Sequence, residues 1–573
     1  MAMIYEERAL DSVFSQFILR LRGSEEKPPF PLRIAVSMAA RAAASGDVCF
    51  DLASLQGTVV EHEGLRVTMP SLNTFRALFF DSGVASAPGA FTPLVLDDKS
   101  RLYLYRYWKL EHQLAVQLLA LASNPPENSI SSLFPVEPGG GQEKAVRHAL
   151  TCRLTVIAGG PGTGKTATVS RILSLLRLQE GGRMKRIALC APTGKAAARL
   201  QSSLREMNER ASLADEDAMP LSLAVSTIHR LLGTIQGSTR FRHNPENPLP
   251  FDLLVVDEAS MIALPLMVAL VSALRRDASL ILLGDQYQLA SVESGAVLGD
   301  ICSAAAAQPD SPIGESVVTL DKSYRFTTES ALGRLSRAVN AGEGPAAVAL
   351  LADPAVLGIT LGPPSGEQAF QKELRECIVA GYRLYLEADS AENSLTLFDR
   401  FRILVALREG PGVSGVRGVN RQVERVLQQA GLLLPVEGFY HGRPVLLTSN
   451  DYSLNLFNGD TGIVLDDPLH PGEFRVCFMT AEGTLRTVAP ERLPSHETAF
   501  AMTIHKSQGS EFDHVLMLLP ERESPLVTRE LLYTGITRAK ERLDVRGETA
   551  LFERAVAKKT IRLSGLADRL LGR

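Results

Sequence analysis

An apolar run that ends in GGPGTGKT has few ways to continue, and Gly159 to Thr166 spell that octet. Gly159, four residues and then Gly164-Lys165-Thr166 follow the buried-strand pattern Leu154–Ala158 and precede apolar residues at helical spacing over Ala167–Leu178. Glycines let successive backbone N–H groups turn inward around an anion, and the helix that follows aims its N-terminal dipole at the same point. Lys165 is spaced to reach the outer phosphates, and Thr166 to set its hydroxyl on a divalent cation. Gly159, Gly160, Pro161, Gly162, Thr163, Gly164, Lys165 and Thr166 together predict a nucleoside triphosphate site.

A chain of 573 residues has room for three or four domains around this loop. With 45% hydrophobic and 22% charged residues the composition is ordinary. A formal net charge of −4 excludes a bulk polycation, while leaving room for a local basic groove. Six dispersed cysteines (Cys49, Cys152, Cys190, Cys302, Cys377, Cys477) form no CxxC pair. That argues against zinc or iron–sulfur sites and for a reducing compartment, each thiol serving as a small buried hydrophobe. The N-terminal MAMIYEERAL is too polar for a secretory signal, and the apolar region Leu253–Leu274 is broken by Asp257 and Glu258. A cytoplasmic location without membrane contact is expected.

Residues 1–110 carry helical spacings and no catalytic constellation; Leu10, Val13, Phe14, Phe17, Ile18 and Leu21 predict one packed face. Tyr103, Tyr105, Tyr107 and Trp108 either stack bases or pack against the next domain. Pro125, Pro126 and Pro138–Gly141 read as a linker. Beyond it, strands at Thr155–Ala158, Ile187–Ala191, Leu253–Val256 and Leu280–Leu283 alternate with helices, which predicts a parallel sheet with ligands at its carboxyl ends.

The polar motifs fall at those ends. Pro192, Thr193, Gly194 and Lys195 open a small-residue helix that either holds a nucleic-acid phosphate or is simply capped; Thr227 and His229 are weaker candidates of the same kind. Asp257 and Glu258 close an apolar strand, and two carboxylates there need a cation. Asp257 is expected to share Mg²⁺ with Thr166, and Glu258 to activate water. In GDQYQL, Asp285 and Gln288 fall near the triphosphate, Gln288 as a γ-phosphate sensor.

Taken in order, GGPGTGKT, APTGKAAARL, STIHRLLG, VVDEASM, GDQYQLASVESGAVLGD, LDKSYRF, TIHKSQGSEFD and LLYTGITRAKERL, with Gln142 upstream, resemble the motifs of superfamily 1 helicases. The resemblance is to the exodeoxyribonuclease V alpha-subunit (RecD) family, and it runs from about Tyr103 to the C-terminus. It implies an α/β protein with two RecA-like parallel-sheet motor domains (111–315 and 316–573), a helical N-terminal docking domain (1–110) and an SH3-like β-barrel insert (437–495). Strands at Val317–Leu320, Ile403–Ala406 and Val515–Leu518 suit the second motor, and alternating strands with Asn458-Gly459 suit the insert.

The resemblance also implies ATP with Mg²⁺, and 5′–3′ movement on single-stranded DNA. Gln142 is expected at the adenine edge, Glu511 on the nucleotide side and Gln508-Gly509 at a coupling hinge. Thr503 and His505 join Pro192, Thr193, Thr227 and His229 at DNA. Arg325 and Arg538, each readable alone as a surface ion pair, become arginine fingers beside Lys165, Asp257, Glu258 and Gln288. The implied partners are tailed or broken duplex DNA and the beta and gamma subunits of a heterotrimer that supply the nuclease in break repair and recombination. A free-standing helicase or a non-catalytic ATP-gated scaffold are the alternatives, and the short N-terminal part favours the subunit. Gly237–Pro250 could form a strand-separating hairpin with Phe241 near its tip. The departures are Gln286-Tyr287, where relatives carry a charged pair, and Asp544 and Arg546 in the last strand, LDVRG, where apolar residues were expected.

Overall fold

The computed structural model describes residues 3–21, 28–62, 64–124, 140–178, 186–212, 223–324, 330–362, 368–410, 415–434, 438–451, 453–480 and 483–572. Short apolar runs without polar alternation suit a sheet covered on both faces, and six of them build the first sheet. Its order is Ala224–Thr227, Ile187–Ala191, Leu253–Val256, Ser279–Gly284, Leu154–Gly159, Val317–Leu320, and every neighbouring pair is parallel. The phosphate-loop strand is therefore interior, and the motif-bearing turns gather at one edge.

Val317–Leu320 corrects an expectation. Its apolar pattern suits the second motor, yet it pairs with Val156–Gly159 of the first sheet. The chain returns to the open edge beside the phosphate-loop strand before it crosses over, because that edge would otherwise leave a buried strand without a partner.

The second sheet is also parallel, in the order Ile359–Gly362, Ala539–Arg546, Phe512–Leu518, Phe401–Val405, Ala501–Thr503. Between Phe401–Val405 and Ala501–Thr503, the second and third strands of this sheet along the chain, comes the antiparallel insert. Its strands run Leu485–Val488, Phe474–Met479, Thr461–Asp466, Pro444–Leu447, His496–Thr498 around Val445, Leu447, Val464, Val476 and Phe478. Among the described residues these pairings make a five-stranded antiparallel sheet and do not join its first strand to its last.

The N-terminal region holds the expected helices, Ala9–Arg20, Phe30–Ala44 and Leu72–Asp81, together with two small sheets that helical spacing did not reveal. The packed face of Ala9–Arg20 also differs. Asp11, Ser15, Ile18 and Leu19 are buried, whereas Leu10, Val13, Phe17 and Leu21 are exposed. Asp11 accepts a hydrogen bond from Arg41 Nε at 3.2 Å, so a charged residue anchors the helix where apolar periodicity pointed to the other side.

The aromatic cluster packs and does not present a stacking platform. Tyr103 is fully buried in the core shared with the first sheet, and Trp108 stacks on His112 with centroids 5.4 Å apart. The helix Tyr105–Ser123 lies against Leu264–Ser272, where Gln113 and Gln117 each donate to Ser272 Oγ. The proposed linker at Pro125, Pro126 and Pro138 lies outside the described residues. No described helix is long and apolar enough to cross a membrane.

The end of the chain returns to its beginning. Thr560 N donates to Glu530 Oε2 at 2.8 Å, and three residues later Leu563 N donates to Asp47 Oδ1 at 2.9 Å. Buried Glu111 then accepts from Ser564 Oγ, Gly565 N and Arg569 Nε at 2.9, 2.9 and 2.7 Å. Asp300 sits beside this cluster, hydrogen-bonded to Ser564, and burial reinforced by Glu111 pushes its carboxyl up to about 7.

The sign of that shift gives a prediction. A carboxyl raised in the fold binds a proton that the unfolded chain lacks between the ordinary value and about 7. Its contribution to stability therefore falls as pH rises through that window. Asp300→Asn, which keeps the neutral shape, is expected to raise the melting temperature more at pH 8 than at pH 5. Equal shifts at both pH values in scanning calorimetry would show that Asp300 does not titrate there.

Candidate functional site

Gly162 and Gly164 adopt φ of 73° and 83°, left-handed conformations that side chains resist, and so bend the loop between Leu154–Gly159 and Lys165–Leu178. Lys165 Nζ donates to Gly159 O at 2.6 Å and Gly160 O at 2.9 Å, and Thr163 Oγ1 donates to Gly160 O at 2.9 Å. Gln142 Nε2 donates to Thr163 O at 3.1 Å, and a Cβ at Gly164 would stand only 2.2 Å from that nitrogen. Gln142 thus braces the loop from outside. Tyr324 N donates to Gly162 O at 2.7 Å, tying the chain after the first sheet to the same turn.

A cavity of about 470 Å³ opens over the loop. Pro161 to Thr166 line it together with Asp257, Glu258 and Gln288 from the first sheet and Glu511 and Arg538 from the second. The structure therefore gathers most of the residues named from the motifs. Arg325 lies outside the described residues. Gly159 and Gly160 line a smaller cavity of about 200 Å³ behind the loop with Asp285, so Asp285 stands behind the phosphate turn and not among the main cavity's walls.

Charge is concentrated at the floor. Burial, and then Glu258, push the Asp257 carboxyl up to about 6, which marks a site with excess negative charge. Glu258 holds φ 53° and ψ 41°, a left-handed conformation uncommon for glutamate, and its N–H donates to Asp257 Oδ1 at 2.8 Å. Gln288 Nε2 donates to Asp285 Oδ2 at 3.1 Å, and its Oε1 is buried without a hydrogen-bond partner among the described residues. Tyr533 from the second sheet's helix Arg529–Ile536 donates to the same Asp285 carboxylate at 3.0 Å.

Arg538, 2% exposed, donates from Nε to Thr534 O and from Nη1 to Ser510 O, each at 3.1 Å. Burial holds its guanidinium below the usual range, and the carboxylates of Glu258 and Glu511 oppose that shift. Arg199 was missed by the motif reading. It pairs with Glu511 at 2.6 Å across the cleft and lines the cavity with Ala196, Leu200 and Ser203. Those positions follow i, i+3, i+4, i+7 along Gly194–Ser212, a helical face that was legible in APTGKAAARL. Gln508 Nε2 donates to Leu289 O at 3.1 Å, and Leu289 N donates to Thr534 Oγ1 at 3.0 Å. The GDQYQL turn is therefore bonded to both second-sheet motifs.

The threonines proposed for DNA contact all serve as local caps. Thr193 Oγ1 accepts from Ala196 N, Thr227 Oγ1 from Arg230 N and Thr503 Oγ1 from Lys506 N. Pro192 and Thr193, half-buried, and Thr227 end neighbouring strands, Thr227 pairing in register with Ala191. His229 is exposed; His505 is half-buried, and burial holds its imidazole below the usual range. A cavity of about 150 Å³ beside Thr227 is lined by Gly194, by Arg230 of the STIHR motif and, from the insert, by Phe457 and Arg486, two side chains outside every motif. Phe241 is not at a hairpin tip. It pairs with Thr234, packs on the core and lies 5.9 Å from the His229 ring.

Residues 7–103 match the family described as RecBCD enzyme subunit RecD, N-terminal domain; 142–294 match an AAA domain, and 498–545 a UvrD-like helicase C-terminal domain. The likeness therefore reaches into the N-terminal region, beyond the Tyr103 limit drawn from motifs. RecBCD enzyme subunit RecD of Mycobacterium tuberculosis (strain ATCC 25618 / H37Rv) is 40% identical over 556 residues, spanning 94% of this chain and 91% of that protein. The Mycolicibacterium smegmatis protein of the same name is 40% identical over 565 residues, 96% of each. The ATP-dependent RecD2 DNA helicase of Deinococcus radiodurans is 28% identical over 503 residues, 86% of this chain and 61% of that protein. Two parallel sheets facing one nucleotide-type cavity and this identity along almost the whole length lead to one assignment: the chain belongs to the RecD family of superfamily 1 helicases.

Proposed function

We propose that the chain is an ATP-driven motor that moves 5′ to 3′ along single-stranded DNA and unwinds duplex ahead of it. One observation carries this reading: a single cavity takes Lys165, Asp257 and Glu258 from one sheet and Glu511 and Arg538 from the other. A ligand that bridges them couples chemistry to the distance between the sheets. Lys165 holds the outer phosphates, Glu258 orients the attacking water, Gln288 senses the terminal phosphate and Arg538 meets the charge that develops there. Arg325 completes the arginine pair on this reading, Gln142 reads the adenine edge, and Glu511 stands on the nucleotide side.

The residues fit Mg²⁺. Thr166 and Asp257 offer hard oxygen donors in one cavity, and the raised Asp257 carboxyl is a site that positive charge relieves. When bound, the ion would neutralise phosphate charge. Pro192, Thr193, Thr227 and His229 on one side, and Thr503 and His505 on the other, grip the strand in alternation. The antiparallel insert, on this reading an SH3-like module, closes over it. In the cytoplasm the motor works as the alpha subunit of a heterotrimer whose beta and gamma subunits supply the nuclease. Its N-terminal docking region is residues 1–110, the last of which enter the helix Tyr105–Ser123 that packs on the first sheet. A free-standing helicase is the second reading, favoured by the likeness to the RecD2 protein.

The deciding assay is unwinding of duplexes tailed at one end, with and without the candidate partner subunits. Unwinding only from 5′ tails supports the motor; unwinding from 3′ tails rejects its polarity, and full activity alone selects the free-standing helicase. Binding gives a finer check. Arg230→Ala, at the mouth of the second cavity, is expected to weaken single-stranded DNA binding uniformly across sequences and to reduce the salt slope by about 0.7, one phosphate contact. An unchanged slope would remove Arg230 from the path of the strand.

A further inference from the structure

The two charges that broke the pattern of the last strand lead to a second site. Asp544 lies on an interior strand and is 1% exposed. Its Oδ2 meets His514 Nε2 at 2.7 Å, and its Oδ1 accepts from Thr360 Oγ1 at 2.6 Å. Cys377, on the helix Gln368–Leu386 that covers this sheet, completes a group whose three ligand atoms all lie within 4.8 Å of one another. Glu373 and Glu376 stand with Cys377 on one face of that helix, and all five residues line a cavity of about 480 Å³. This cavity shares no lining residue with the nucleotide cavity.

We propose that Cys377, His514 and Asp544 bind a zinc ion that clips the helix Gln368–Leu386 to the second motor sheet. Thiolate, imidazole and carboxylate form a donor set for a borderline-soft divalent cation, and hard ions such as Mg²⁺ or Ca²⁺ do not take sulfur. Bonds of about 2.0–2.3 Å in a tetrahedron space donors roughly 3.3–3.6 Å apart. The 2.7 Å His514–Asp544 separation and the 4.8 Å span of the group bracket that spacing, so small side-chain rotations suffice. The thiol gives up its proton to solvent on coordination, and water or the Glu376 carboxylate takes the fourth position.

Two rival readings are weaker. A Cys–His–Asp nucleophile needs an activated thiol, but burial and the Asp544 carboxylate push the Cys377 thiol up to about 11, the opposite direction. A plain network of His514, Thr360 and Arg542 around Asp544 leaves Cys377 without a part, and Arg542, whose Nε lies 3.1 Å from Asp544 Oδ2, is the member a cation would displace. Its side chain is 58% exposed and free to swing into water when a cation takes the carboxylate.

The spacing rule that spoke against zinc was blind to this group. Its members stand at 377, 514 and 544, brought together only when the helix packs on two parallel strands. A bound ion would fix the strand Phe512–Leu518 directly after Glu511, and so brace the nucleotide side of the cleft from behind.

The test uses the full chain, stripped with chelator and titrated with Co²⁺ as the spectroscopic probe. One equivalent is expected to produce a thiolate-to-cobalt charge-transfer band, which an oxygen-only site at the nucleotide cavity cannot give. Zinc should bleach the band at one equivalent and raise the melting temperature. Cys377→Ser and His514→Gln should each lose the band and the zinc-dependent shift, and Cys152→Ser, a control away from the group, should keep both. Absence of the band in the unaltered chain overturns the site, as does a band that survives Cys377→Ser. Neither outcome bears on ATP hydrolysis, which is read separately.

Discussion

Lys165→Gln is expected to hydrolyse ATP at least about a hundredfold more slowly than the parent, with single-stranded DNA affinity changed less than about twofold. The ammonium sits over the loop mouth, donating to the Gly159 and Gly160 carbonyls. Glutamine is uncharged and one bond shorter, so the ammonium's two carbonyl contacts go with the charge, while Gln142 still braces the loop at Thr163 O. The loop keeps its shape while the positive charge for the outer phosphates is lost. The candidate DNA contacts at Thr193, Thr227 and Arg230 lie at other strand ends and outside this cavity. Steady-state ATPase rates and fluorescence anisotropy with a labelled oligonucleotide measure the two effects separately. Equal loss of both, in protein with a parental melting curve, would show that the loop also holds the strand.

The larger effect on turnover is expected from Arg538→Ala, about a thousandfold with nucleotide affinity changed only a few-fold, because a finger acts on charge that appears at the transition state. The alanine variant has a complication. It leaves the buried Ser510 carbonyl without the guanidinium, an orphan that costs about 1–3 kcal/mol, whereas the Thr534 carbonyl still accepts from Thr537 Oγ1 at 3.1 Å. Arg538→Lys separates the contributions. It retains the charge and loses the planar fork, so most of the rate should still be lost while the fold is better kept. Single-turnover hydrolysis at saturating ATP reads the chemistry directly. Parental turnover in either folded variant would make Arg538 a strut between Ser510 and the helix Arg529–Ile536, with no part in hydrolysis.

The contiguous parts of the site were legible because each is a strand end followed by a turn, and the chemistry is spelled out within a few residues. Gly159 to Thr166 and Asp257-Glu258 are of this kind, and the structure sets Pro161 to Thr166 in one cavity with both carboxylates. Arg199 was legible in principle, since its helical face repeats at three and four residues, but an arginine in an alanine-rich helix carries no chemical label of its own. Phe457 and Arg486 were not legible. They reach the first sheet only because the insert folds back over Gly194, where a Cβ would meet Phe457 at 3.0 Å. Val317–Leu320 went to the wrong sheet for a related reason: an apolar run announces a strand and says nothing of which edge it joins. The N-terminal strands were hidden by their shortness, two to four residues each, below the length at which alternation can be read.

The returning C-terminal segment sets a mechanical bound. Thr560 is fastened to the second lobe through Glu530, and Leu563 to the N-terminal region through Asp47, with Ile561 and Arg562 alone between them. Three Cα–Cα steps span at most roughly 10–11 Å even when fully extended. Near this tether the lobes can separate no further than that without tearing one anchorage loose. The chain also passes from the first sheet to the second lobe after Leu320, so the two are joined by sequence at more than one place. The lobes are held like a pair of jaws with a check strap, whose length caps the opening beside it by chain geometry alone.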